Sequence, residues 1–103
     1  MITLEPSPAV EVLDRIIRSQ ERVVGKAAWK LAKRVRGLDV ARDHAISIAE
    51  GADHADVVER LVREYAQITG ELGARMCFMS AADILRDNPG LDVPSFRPYT
   101  RFA

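Results

Sequence analysis

Eight basic side chains fall between residues 15 and 36: Arg15, Arg18, Arg22, Lys26, Lys30, Lys33, Arg34 and Arg36, with Glu21 the only acid among them. At 100° per residue on one continuous helix they occupy an arc of about 160°, opposite an apolar face. The chain's single tryptophan, Trp29, lands inside that arc beside Arg22, Lys26, Lys33 and Arg36. An indole amid cations can stack on a base or take cation–π support from its neighbours. The expected binding surface is therefore Arg18, Arg22, Lys26, Trp29, Lys30, Lys33 and Arg36, and its chemistry is capture of an anionic partner. An acidic protein is the first expectation and nucleic acid the alternative. A membrane surface ranks lower, because the apolar face of this helix is needed for packing. The rival reading is a solvated face neutralised by the acids of later segments, within or between subunits.

Those acids are many, and they make the chain dipolar. Fifteen Lys+Arg balance fifteen Asp+Glu for a net charge of +0, which excludes indiscriminate coating of polyanions while leaving a local patch open. Asp39, Asp43, His44, Glu50, Asp53, His54 and Asp56 gather around the middle of the chain. Neither His44 nor His54 pairs with a second ligand in an HExxH-like or ExxH arrangement, and Asp53 with Asp56 reads as a helix start, so neither metal nor cofactor is expected. Cys77 lies among Met76, Phe78 and Met79 and reads as a buried, inert thiol. The chain contains no phosphate-cradling glycine loop, no CxxC and no nucleophile elbow.

One enzymatic pattern remains. Lys30 is followed nine residues later by Asp39-Val40-Ala41-Arg42-Asp43. A lysine late in a long first helix, then Asp-x-x-Arg-acid opening a short second helix, resembles the helical chorismate mutases, which are intertwined dimers. The resemblance implies Lys30 and Arg42 as the cations holding a dicarboxylate, with Asp39 and Asp43 as orienting acids. It covers some 14 residues. Asp43 stands where that family has glutamate, its glutamine late in the third helix falls on Gly73, and its upstream arginine has no counterpart. A non-enzymatic interaction or adaptor protein is the preferred reading.

The elements that must position these residues are helical. Ser7-Pro8 is a start signal, a hydroxyl cap before proline, and apolar residues then recur at three and four from Val10 to Val35. This predicts a first helix over 8–36, stopped by Gly37. Asp39 can cap a short second helix over 39–50, stopped by Gly51. Asp53 opens a third over 53–88, which Asn88-Pro89-Gly90 ends. Residues 89–103 read as an extended tail in which Phe96, Tyr99 and Phe102 are candidate contacts, docking on the chain's own dimer or on a partner. A third helix of this length would span roughly 52 Å, four times the radius of gyration of about 13 Å for a 100-residue globule. It must kink, with Gly70 and Gly73 the marked places, or be shared with a second chain. Val58, Leu61, Tyr65, Ile68, Leu72, Met76 and Met79 step along it by threes and fours like a coiled-coil seam. The expected architecture is all-α: a long-short-long helical bundle in one domain, 1–103, forming an intertwined or four-helix homodimer. Residues 1–6 lack the basic and apolar stretches of a secretory leader, and the expected location is cytoplasmic.

Overall fold

Local chemistry at the helix starts behaves as the sequence dictates. In the computed structural model, which describes residues 7–100, Ser7 Oγ accepts from the Val10 amide at 3.2 Å and proline occupies the first turn of α1, Pro8–Val24. Ala9, Val12, Leu13, Ile16, Ile17 and Gln20 form its buried face. Asp53 caps α3, His54–Asp87, by accepting from the Asp56 amide at 3.0 Å. At the other end of α3, the Asn88 side chain returns a hydrogen bond to the Ile84 carbonyl.

The first helix is shorter than its periodicity suggests. Gly25 adopts φ 63, ψ −143, a conformation open to glycine, and the helix stops at Val24. A separate short helix, α2, runs Ala27–Ala32. The reading of one helix over 8–36 is thereby corrected. Two β-branched residues, Val23 and Val24, precede the glycine, so the stretch has little intrinsic helix strength to resist the break.

The expected second helix over 39–50 is absent. In its place stands a β-hairpin: β1, Leu38–Val40, pairs antiparallel with β2, Ile46–Ile48, in the register Leu38↔Ile48, Asp39↔Ser47, Val40↔Ile46. Leu38, Val40, Ile46 and Ile48 alternate with the exposed Asp39 and Ser47, and the first four pack on the core. The period is two, over only three residues in each strand. The turn is closed by Ala41 N–H to the Ala45 carbonyl at 2.8 Å and by Asp43 Oδ1 accepting from the Ala45 amide. His44 takes φ 67 there.

Helix α3 is broken at Gly70 (φ 64, ψ −153) into arms 54–69 and 71–87. The break answers the length problem within one chain, whose longest extent is 42 Å. The seam residues divide just before that point. Val58, Leu61 and Tyr65 are buried, whereas Ile68, Leu72 and Met79 are exposed. The segment after α3 is not an extended tail. A 3₁₀ turn, Pro94–Phe96, and a last short helix, α4, Arg97–Thr100, fold back on α3. Phe96 is buried and meets Phe78 edge-on, with centroids 5.6 Å apart. Tyr99 packs on Phe78 as well, at 5.8 Å. Phe102 lies outside the described residues. The chain is mostly helical with one small sheet, its buried apolar side chains form one cluster, and no helix among the described residues is long and apolar enough to cross a membrane.

Candidate interaction surface

Trp29 is the first residue the structure relocates. Its side chain is 3% exposed rather than displayed among cations. Its indole Nε1 donates to Glu21 Oε2 at 2.8 Å, so the lone acid of the basic stretch is used internally. The imidazole of His44 stacks on the ring, with centroids 3.9 Å apart and planes within 12°. The Arg18 guanidinium lies 5.8 Å from the ring centroid. The indole therefore ties α2 to α1 and to the hairpin. Tyr65 adds a second tie, its hydroxyl donating to the Ala28 carbonyl at 2.8 Å from α3. Burial pushes the Tyr65 phenol well above its ordinary pKa, so it remains a donor throughout the accessible pH range.

The cations around this anchor stay outside. Arg22, Lys26, Lys30, Lys33, Arg34 and Arg36 are all exposed. Lys26, Lys30 and Lys33 step by four and three, on one side of α2. None of the six makes an ion pair among the described residues. The arginines that do are Arg15 with Asp83 and Glu11, Arg18 with Asp14, Arg60 with Asp56, Arg63 with Glu59 and Arg97 with Asp92. Asp56, Glu59 and Asp83 of α3 are thus engaged by arginines of α3 and α1. Six like charges over 15 residues remain without an ion-pair partner among the described residues. Of the expected surface residues, Arg22, Lys26, Lys30, Lys33 and Arg36 share this exposed region. Arg18 is spent on Asp14 and Trp29, and Trp29 lies beneath.

The residues of the enzymatic pattern are not brought into the frame it requires. Asp39 lies on β1, Arg42 and Asp43 lie in the hairpin turn, and Asp43 is occupied in holding the Ala45 amide. The Asp-x-x-Arg-acid element opens no helix. His44 is committed to the Trp29 stack, and among the described residues no three His, Cys, Asp or Glu side chains converge as metal ligands. Cys77 is buried and its thiol is pushed up to about 12 by that burial, so it is not a nucleophile at neutral pH.

Sequence reasoning missed two groups. Glu21 and His44 hold the indole, and the isolation of Glu21 among cations, eight residues before Trp29, was the available signal. Glu59 was also missed. It is 5% exposed, accepts from the Ser95 amide (2.8 Å), the Ser95 hydroxyl (2.6 Å) and Arg63 Nε (2.7 Å), and so clamps the final segment to α3. No family model, curated protein or solved structure matches this chain.

Proposed function

We propose that the chain is a non-enzymatic helical interaction module that acts as a homodimer and binds an acidic protein partner through the cations of residues 22–36. The observation that carries this reading is the set of six exposed basic side chains, Arg22, Lys26, Lys30, Lys33, Arg34 and Arg36, with no ion-pair partner among the described residues. Unneutralised like charges held on and beside a short helix repel one another, and an anionic partner relieves that repulsion while being steered by it. Trp29 supports the surface from below: its hydrogen bond to Glu21 and its stack with His44 set the orientation of α2. Its burial also withdraws the one aromatic in this region that could stack on a base, which favours carboxylates over nucleic acid.

The test is titration of a carboxylate-rich peptide and of a single-stranded oligonucleotide of equal charge, at two salt concentrations. The peptide should bind the native chain, weaken as salt rises, and bind the Lys26→Glu/Lys33→Glu variant at least tenfold more weakly. Equal peptide binding by the variant, or tighter binding of the oligonucleotide than of the peptide, refutes the reading.

A further inference from the structure

The second arm of α3 presents a different surface. Leu72 and Met79 are 65% and 66% exposed, seven residues apart on one side of the arm, with Met76 between them. Isolated exposed apolar side chains are ordinary, but these form a ridge with a groove on either side. One groove runs between the ridge and α4, where Pro98 and Tyr99 make the far wall. The other runs between the ridge and α1, where Arg18 and Arg22 make the far wall, and Met79 lines both. A ridge bordered by grooves is the shape that packs against another helix.

We propose that this ridge is the contact through which a second copy of the chain packs, with the two arms antiparallel about a two-fold axis near residue 73. The inference rests on the homodimer reading above and assigns its surface. Charge chooses the occupant and the orientation. Glu71 and Arg75 flank Leu72 on the α4 side, one helical turn apart, and neither makes an ion pair among the described residues. A two-fold axis across the arm brings the same flank of both copies together with direction reversed. Glu71 of each then faces Arg75 of the other, and the two Leu72 side chains meet between these pairs. An isologous contact needs such self-complementarity.

Sedimentation equilibrium on the full chain tests this directly. The native chain should be dimeric, Leu72→Glu should raise the dissociation constant at least tenfold, and its far-UV circular dichroism should be unchanged because Leu72 faces solvent. Glu71→Arg and Arg75→Glu should each weaken self-association, yet an equimolar mixture of the two should recover native-like dimers. Recovery on mixing requires the charges to meet between chains, since restoring an ion pair within a chain cannot produce it. A native chain that stays monomeric overturns this proposal together with the homodimer reading. A dimer indifferent to Leu72→Glu and to the charge variants overturns the proposed surface alone. So does recovery that fails on mixing, whereas a monomer whose Leu72 binds lipid vesicles overturns both.

Discussion

Gln20 occupies a position on α1 that the surrounding residues would give to an apolar side chain. It is fully buried beside Ile16 and Ile17 on the packed face, and neither its amide nitrogen nor its amide oxygen has a hydrogen-bond partner among the described residues. A buried polar group left unpaired costs about 1–3 kcal/mol. Methionine has the same unbranched length as glutamine and equal helix propensity, so Gln20→Met removes that cost with little change of shape. Imperfect fit in such a volume-conserving exchange takes back up to about 1.5 kcal/mol. The expected net gain is on the order of 1 kcal/mol, or about 4–8 °C in a domain of this size. Two companions fix the cause. Gln20→Ala also removes the amide but leaves a cavity, and should fall about 2–5 kcal/mol below Gln20→Met. Gln20→Glu keeps the shape and buries a charge, and should be the least stable at neutral pH. Urea unfolding followed by Trp29 emission and far-UV circular dichroism gives all three values, with an unchanged m-value as the check that only stability has moved. Destabilisation by Gln20→Met would refute the reasoning, because it would mean that the amide makes bonds worth more than its burial costs.

Two further expectations follow from the anchors of α2 and of the final segment. Burial alone would raise the Glu59 carboxyl, but hydrogen bonds from Ser95 and the charge of Arg63 outweigh it and hold the pKa below the model-compound value of 4.5. A depressed folded pKa means the contribution is complete above that value and is lost as pH falls through the folded one. The final segment should therefore loosen in acid, seen as proteolysis near Ser95 increasing below about pH 4.5, and Glu59→Gln should show reduced protection already at neutral pH. Because Trp29 is the only tryptophan and is buried under His44, its emission should resist acrylamide and rise in yield in His44→Ala, while Trp29→Ala should cost about 3–5 kcal/mol in urea unfolding.

What could be read from the sequence was what local chemistry decides within three or four residues. Ser7-Pro8, the Asp53 and Asp56 pair, and Asn88-Pro89-Gly90 each act on backbone groups one turn away, and each bounds a helix where expected. The kink at Gly70 was legible for a different reason: a straight helix of that length does not fit a small globule, and few residues in it tolerate positive φ. The hairpin was hidden because alternation over Leu38–Val40 and Ile46–Ile48 is too short to outweigh a plausible cap at Asp39. What stabilises it is burial of its four apolar residues against the core, which no window of sequence reports. The fate of Trp29 was equally non-local, set by Glu21, by His44 from the hairpin, and by the position Tyr65 gives to the Ala28 carbonyl.

The candidate surface changed meaning through one backbone torsion. The basic arc of about 160° assumed a single helix from Arg15 to Arg36, and Trp29 fell inside it because Arg18 and Arg36 extended the arc past its position. With Gly25 ending α1 and α2 closing at Ala32, Arg18 stays on α1 and Arg36 lies in the turn beyond α2. Around α2 alone, Lys26, Lys30 and Lys33 subtend only about 60°, whereas Ala28, Trp29, Leu31 and Ala32 subtend about 160° on the other side. The indole then belongs to the apolar set, and burying it no longer requires burying an arginine. An unbroken helix would have forced a compromise between the two. Gly25 removes it, leaving the cations in solvent while the tryptophan beneath fixes the helix that carries them.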